Sequence, residues 1–254
     1  MIDDFEANLA ALRRGEAHVW MSFGQAGQGA EKVAWHLLSD EERRRAGKIQ
    51  AAADRDGFVL AHALVRAVLS RYHPVVPGVW RFGRGPQGKP FIRAAADAPP
   101  LQFNLSHTRG LSACVITLNI GVGVDVERIE RHADLLNVAR EFFAPAVVQE
   151  LQNLSGEKQT LRFYEHWTRQ EARGKASGTG FAPVSLVNEN AEDWRCLQER
   201  VSPRHMLAAA MHGGQGSATD FRLRTVRWQA HANVGGLEPC GRERKISVPP
   251  IIVT

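Results

Sequence analysis

Two acidic residues stand among the valines of the segment GVGVDVE. Asp125 and Glu127 alternate with these valines as the side chains of a β-strand do, which predicts the valines on one face and the acids on the other. Side chains two residues apart on a strand face lie roughly 7 Å from each other, so both carboxylates could bind one cation. The alternative is an ordinary strand with one solvated face, where the acids have no chemical role.

A second group lies on a predicted helix in the segment FYEHWTRQEARGKA. Trp167, Glu171 and Lys175 are spaced four residues apart and share one helix face. A Glu–Lys pair at this spacing is usually a solvated pair that contributes about 0.3–0.5 kcal/mol. If Glu171 instead joins the two strand acids, the three carboxylates form an oxygen-only set that suits Mg²⁺. Lys175 could then contact a phosphate that the metal also binds, as in phosphoryl-transfer sites.

Two other motifs are weaker candidates. GRGPQGKP begins like a phosphate-binding P-loop, but Pro90 stands where the hydroxyl residue is required, and the next residues favour a strand. A glycine-rich turn that offers free amides to a ligand remains open. Ser106 and His107 are adjacent on a predicted strand, so they point to opposite faces and do not suit a nucleophile–base pair.

The elements that must position these residues predict an α+β fold. Helical patterns are followed by strand patterns twice along the chain, which favours two similar α/β halves related by a pseudo-twofold, with a ligand site at their interface. We expect the N-terminal half to span residues 1–118 and the C-terminal half residues 119–234. The tail, residues 235–254, contains three prolines and is expected to be loosely held.

Composition limits the function classes. The net charge of +5 favours an anionic ligand or an acidic partner, but no aromatic-interleaved basic motif indicates nucleic-acid binding. The three cysteines have no metal spacing and are typical of a reducing compartment. The chain has no apolar signal core and no run long enough to span a bilayer. We therefore expect a soluble, cytoplasmic protein.

Several short motifs together resemble those of the Sfp-type phosphopantetheinyl transferases. They are GKP, FNLSH, GVGVDVE, FF and WTRQEARGK, in this order, and the resemblance covers about residues 40–185. It implies two similar halves that enclose coenzyme A at their interface. It also implies transfer of the phosphopantetheine arm to a serine of an apo acyl or peptidyl carrier protein, with release of adenosine 3',5'-bisphosphate. A chain that holds both halves is expected to be a monomer.

The resemblance also implies residue roles, each a hypothesis. Glu171 and Lys175 would be catalytic, since Glu171 matches a Mg²⁺ ligand and Lys175 matches the lysine that contacts the pyrophosphate. The other matches are Asp125 and Glu127 for Mg²⁺, Ser106 and His107 for a coenzyme A phosphate, Lys89 and Pro90 for the adenine wall, and Arg55 with Lys48 for the ribose phosphate.

Two positions depart from the family pattern. Gln170 stands where the family usually has lysine, and Val147 stands where many members have the glutamate proposed as the base for the carrier serine. Glu150, one helical turn further on, could act as this base, or a water held by the metal could take the proton. These departures leave open a catalytically weakened homologue that binds coenzyme A or the carrier. The pair of acids Asp125 and Glu127 also allows a second alternative, an unrelated Mg²⁺-dependent phosphohydrolase.

Overall fold

A computed structural model describes residues 5–24, 30–85, 87–93, 98–179, 194–212, 219–230, 235–240 and 242–248. The mixture of helices and sheets confirms the predicted α+β class. The helices are α1 (Phe5–Arg13), α2 (Ala30–Trp35), α3 (Asp40–Ala46), α4 (Ala52–Leu69), α5 (Leu135–Phe142), α6 (Pro145–Gln152) and α7 (Gly156–Ser177), and one 3₁₀ turn covers Pro77–Val79. The strands are β1 (Ala17–Phe23), β2 (Phe82–Arg84), β3 (Pro90–Ile92), β4 (Leu101–Thr108), β5 (Leu111–Leu118), β6 (Val122–Arg128), β7 (Trp194–Ser202), β8 (His205–His212), β9 (Thr219–Ala230), β10 (Gly235–Pro239) and β11 (Arg244–Val248).

The larger sheet has six strands in the order β10–β9–β1–β5–β4, and β11 also pairs with β9. Strand β1 pairs antiparallel with β5 and parallel with β9. Helix α4 buries its apolar side against this sheet, and Val59, Leu64 and Val68 belong to the same core cluster as Cys114 and Ile116 of β5. The apolar spacing that predicts a helix over residues 55–72 thus corresponds to the most buried helix of this layer.

The smaller sheet has the order β6–β8–β7 and packs face to face with the larger one. The valines of β6 are buried in this contact, together with Val19 of β1 and Leu111 of β5. Helix α7 covers the opposite face, where Ala172 and Ala176 pack against the alanines of β8. The two faces of β6 therefore meet different surroundings, a second sheet on one side and α7 on the other.

Helix α7 lies unusually close to β6 because the strand has glycine at position 123. A Cβ atom there would lie 2.6 Å from the backbone nitrogen of Ala176, well inside van der Waals contact. The helix ends at Gly178, which adopts the left-handed conformation with φ 77°. The close approach brings the side chains of α7 directly over the acidic face of β6.

The C-terminal residues correct one expectation. Residues 235–239 and 244–248 form β10 and β11, which pair with β9, and Leu237 is buried, so this part of the tail is not loosely held. Residues 249–254 lie outside the described residues. Strand β9 brings residues beyond 118 into the larger sheet, so that sheet crosses the boundary expected there. The division into two halves and the pseudo-twofold stay predictions.

Candidate active site

Asp125 and Glu127 of β6 and Glu171 of α7 lie on two elements that pack against each other. Burial raises the pKa of Glu127 to about 7, and the neighbouring charges of Asp125 and, to a smaller extent, Glu171 add to this shift. Burial also raises the pKa of Glu171, with a further contribution from Asp125. The charge of Asp125 thus contributes to the pKa shifts of both glutamates. The three acids therefore lie in one region of the fold, and their role as a metal-binding set stays a prediction.

Lys175 supplies positive charge at this cluster. Its Nζ lies 2.6 Å from Oδ1 of Asp125 and donates to Oγ of Ser106 at 3.3 Å. Ser106 Oγ in turn donates to the same Asp125 oxygen at 3.0 Å. Lys175 therefore reaches across from the helix to the neighbouring strand, rather than serving as a solvated helix-surface pair with Glu171 alone.

The chemistry of these residues fits a hard divalent cation. Oδ2 of Asp125 is buried and has no hydrogen-bond partner among the described residues, so one oxygen of a largely buried acid remains available. All three acids offer oxygen, the donor type that Mg²⁺ prefers. In the described part of the chain, no three His, Cys, Asp or Glu side chains are already arranged to hold a metal ion. In this structure, the positive charge next to Asp125 is the ammonium of Lys175, which forms a salt bridge with it.

The sequence placed Trp167 on one face with Glu171 but indicated no contact for it, and it did not single out Asn104. The indole of Trp167 hydrogen-bonds to Glu127. Asn104 Oδ1 accepts from the backbone N–H of Val124 at 3.0 Å, and Ser106 Oγ accepts from that of Val126 at 3.3 Å. These side chains of β4 thus pair with the edge of β6 and join the two sheets. The period-two spacing of Asn104 and Ser106 in FNLSH is the signal that could have predicted this pairing.

His107 points away from Ser106, as the alternation predicts. A Cβ atom on Gly57 of α4 would lie 3.2 Å from its ring, so the imidazole rests against that helix. Desolvation and then the charge of Lys175 lower the pKa of His107, while Asp54 raises it. The ring lines a cavity of about 1120 Å³ whose wall includes Arg109.

A second cavity, of about 870 Å³, lies between α3, α4 and the β2–β3 hairpin. Pro90 lines it, whereas Lys48 and Arg55 line neither this cavity nor the one at His107. The basic residues that do line it are Arg43, Arg45, Arg66, Arg81, Arg84 and Arg93. The cluster EERRR is a local basic pattern in the sequence, whereas the other arginines come from separate elements. We call this space the arginine-lined cavity.

The side chain of Lys89 does not face that cavity. Its Nζ donates to the carbonyl oxygens of Val122 and Ala176, at 3.1 and 2.9 Å. Its neighbours in the hairpin, Gly88 and Pro90, line the cavity instead. Lys89 and Pro90 of the GKP motif thus face different sides of the hairpin.

Glu150 is held by an ion pair with Arg162 and a hydrogen bond with His166. Its carboxylate lies 2.6 Å from Nε of Arg162 and 3.0 Å from Nε2 of His166, and the Arg162 hydrogen bond is the largest cause that lowers the pKa of Glu150. Val147 packs, partly buried, into the apolar cluster between α5, α6 and α7. Gln170 donates from Nε2 to the carbonyl of Phe142 at 3.1 Å, so it contacts α5.

Comparisons with known proteins identify the family. The model of the 4'-phosphopantetheinyl transferase superfamily matches residues 121–219. The chain is 32% identical over 226 residues to the 4'-phosphopantetheinyl transferase HetI of Nostoc sp., covering 84% of this chain and 94% of the relative. It is 35% identical over 197 residues to the putative 4'-phosphopantetheinyl transferase slr0495 of Synechocystis sp., covering 76% and 79%. A 4'-phosphopantetheinyl transferase of Bacillus subtilis is 26% identical over 166 residues, covering 65% and 71%.

The chain belongs to the 4'-phosphopantetheinyl transferase superfamily. It is accordingly a transferase, and the resemblance drawn from the motifs is confirmed. The region matched by the superfamily model contains the acidic strand β6 and the helix α7. All three carboxylates and Lys175 of this phosphopantetheinyl transferase therefore lie in the matched region. Among the described residues, no helix is both long and apolar enough to cross a membrane.

Proposed function

We propose that this phosphopantetheinyl transferase catalyses the Mg²⁺-dependent transfer of the phosphopantetheine arm from coenzyme A to a serine of an apo acyl or peptidyl carrier protein. The second product is adenosine 3',5'-bisphosphate. The observation that carries the proposal is the environment of the Asp125 carboxylate between β6 and α7. Nζ of Lys175 lies 2.6 Å from its Oδ1, its Oδ2 has no protein partner among the described residues, and its charge raises the pKa of both Glu127 and Glu171.

Asp125, Glu127 and Glu171 would hold Mg²⁺. When bound, the ion supplies a Lewis acid that offsets charge on the pyrophosphate. Lys175 would donate a hydrogen bond to a pyrophosphate oxygen, where charge develops as the bond to the leaving group breaks. His107, on the other face of β4, would contact a phosphate of coenzyme A.

The arginine-lined cavity would take the ribose phosphate and adenine of coenzyme A. Arginine binds phosphate oxygens through two parallel hydrogen bonds, and several arginines here come from different elements. Pro90 would form part of the adenine wall. The roles of Lys48 and Arg55 at the ribose phosphate stay predictions, and the two cavity linings give them no support.

In the transfer step, the carrier serine oxygen forms a bond to the β-phosphorus of coenzyme A. The bond from that phosphorus to the bridging oxygen breaks, and adenosine bisphosphate leaves. We propose that the serine proton leaves to water rather than to Glu150. The ion pair of Glu150 with Arg162 and its hydrogen bond with His166 lower its pKa and so weaken it as a base.

The arrangement of β4 and β6 supports a ligand site at the interface of two halves. The edge strand of the larger sheet is joined to the edge strand of the smaller one by Asn104 and Ser106, and the proposed phosphate-binding residues flank this junction. We further propose that the chain acts as a cytoplasmic monomer and that residues 133–151, which include the exposed Arg140, form part of the surface for an acidic carrier.

The first test is the intact mass of an apo acyl carrier protein after incubation with the enzyme, coenzyme A and Mg²⁺. A phosphopantetheine-sized gain is expected. It should disappear with Glu171→Ala and with a metal chelator, but not with Glu157→Ala, which removes an exposed glutamate from the same helix. Coenzyme A binding without mass gain on any of several carriers would favour the weakened binding homologue. Release of adenosine bisphosphate without a carrier would favour a phosphohydrolase.

A further inference from the structure

Lys89 lies at the end of a tight turn whose two sides face different parts of the molecule. The backbone N–H of Gly85 donates to the carbonyl of Lys89 at 2.9 Å, and Gly88 takes the left-handed conformation with φ 78°. This geometry lets Gly88 and Pro90 line the arginine-lined cavity while the side chain of Lys89 extends toward α7. The hairpin thus separates the cavity from the end of the helix that carries Glu171 and Lys175.

The ammonium of Lys89 joins three elements of the fold. It donates to the carbonyl of Ala176 in the last turn of α7, where helix carbonyls lack partners within the helix. It also donates to the carbonyl of Val122, the first residue of β6. A positive charge at a helix C-terminus is further favoured by the helix dipole. One side chain therefore ties the end of α7, the start of β6 and the β2–β3 hairpin together.

The surroundings of Lys89 indicate a structural use of its charge. The residue is half-buried, and burial lowers its pKa. Among the described residues, no carboxylate forms a salt bridge with it. Removing an ammonium from water is costly unless it is hydrogen-bonded, and here two backbone carbonyls provide that compensation. Both carbonyl groups that Lys89 contacts belong to residues close in sequence to the proposed site. Ala176 follows Lys175 directly, and Val122 precedes Asp125 by three residues.

We propose that Lys89 is a positioning residue, which fixes the end of α7 on β6 and thereby holds Lys175 and Glu171 opposite Asp125. We call the two hydrogen bonds from Lys89 to the carbonyls of Val122 and Ala176 the latch. The inference rests on the proposed function for the roles of Lys175, Glu171 and Asp125, but the latch itself does not depend on it. It differs from the role that the family resemblance implies for Lys89, which is to form part of the wall around the adenine of coenzyme A. The two roles predict different kinetic effects.

The first experiment measures hydrogen exchange in the free enzyme. Lys89→Met keeps a side chain of similar length but removes the ammonium. Lys89→Arg keeps the positive charge and enough N–H donors for both carbonyls. Lys158→Met, at an exposed lysine of the same helix, is the control. We expect Lys89→Met to raise exchange about tenfold or more in the last turn of α7 and to leave the start of α7 unchanged. Lys89→Arg and Lys158→Met should match the wild type.

The second experiment separates kcat from KM. A positioning role predicts that Lys89→Met lowers kcat about 10- to 100-fold and raises the Mg²⁺ concentration for half-maximal rate. The KM for coenzyme A should change less than about threefold, because the ammonium does not touch the ligand. Lys89→Arg should restore most of kcat. A raised KM for coenzyme A with unchanged kcat and unchanged exchange would overturn the proposal in favour of direct contact.

Failure of the latch and failure of the proposed function give different results. If the wild-type enzyme transfers nothing to any carrier, the proposed function fails, while the exchange data still test the latch. If Lys89→Met does not fold, Lys89→Gln, which keeps N–H donors on a shorter and uncharged side chain, replaces it. Intermediate exchange in Lys89→Gln would support the latch, and wild-type exchange in this variant would contradict it.

Discussion

At the residue scale, Asp125 combines two environments in one carboxylate. Oδ1 receives hydrogen bonds from Ser106 and Lys175, whereas the buried Oδ2 has no partner among the described residues. A buried polar atom without a partner costs about 1–3 kcal/mol, so such an atom usually persists where a ligand or ion can use it. This asymmetry, more than the presence of three acids, distinguishes the site from an ordinary solvated strand face.

Position 147 tests which group takes the proton of the carrier serine. Val147→Glu introduces a carboxylate where many family members have one, and we expect a several-fold rise in kcat if a side-chain base is missing. Unchanged kcat would support proton loss to water. The measurement is carrier modification followed by mass at saturating coenzyme A.

Glu150→Gln is the complementary change. Because Arg162 and His166 already pair with this carboxylate, we expect kcat to fall less than about threefold, a much smaller effect than the 10²–10⁴-fold expected for loss of a general base. A fall of 100-fold or more, with the melting temperature unchanged, would instead identify Glu150 as the base. Gln152→Ala, on the same helix, is a suitable control for the assay.

At the element scale, the site depends on how closely α7 approaches β6. Gly123→Ala would place a Cβ atom within 2.9 Å of Cβ of Lys175 and against the helix backbone. We expect a loss of about 1–3 kcal/mol and a melting temperature lower by about 2–12 °C, with kcat falling because Lys175 and Glu171 shift. Gly47→Ala is the matched control, since Gly47 has φ −62° and its Cβ would lie at an ordinary 3.5 Å from Arg43 O. An equal effect of both substitutions would contradict this explanation.

The sequence predicts elements well where a local period marks them. The alternation in β6 and the four-residue spacing in α7 indicated which residues share a face, and the structure brings those two faces together. The capping box of Ser39 and Glu42, which starts α3, is likewise a local pattern of the sequence.

Contacts between distant elements have no such signal. Lys89 reaches carbonyls 33 and 87 residues further along the chain, and its neighbours in sequence do not indicate which side of the hairpin it will take. The arginines of the cavity, such as Arg45 and Arg81, come from separate elements for the same reason. The parallel pairing of β1 with β9, which anchors the tail strands, also required the structure.

At the scale of the whole molecule, a buried polar network ties the chain ends to the larger sheet. His18 of β1 is fully buried, with Nδ1 2.6 Å from the hydroxyl of Tyr72. Glu16, which directly precedes β1, pairs with Arg222 of β9, which in turn contacts Glu243 next to β11. Ion pairs thus connect the start of β1 with β9 and with the segment before β11.

This network predicts a specific loss of stability in acid. Burial and then the charge of Arg224 lower the pKa of His18 to about 3. The unfolded chain binds a proton on this ring near pH 6.5, while the folded protein does not, so the free energy of unfolding falls as pH drops below about 6.5. Between pH 7 and pH 5 the contribution of His18 amounts to about 2 kcal/mol.

His18→Gln should therefore reduce the difference in unfolding free energy between these two pH values by about that amount, measured by urea denaturation. His36→Gln, at an exposed histidine, should keep the wild-type difference. If His18→Gln also kept it, the acid sensitivity of the fold would have to come from other groups.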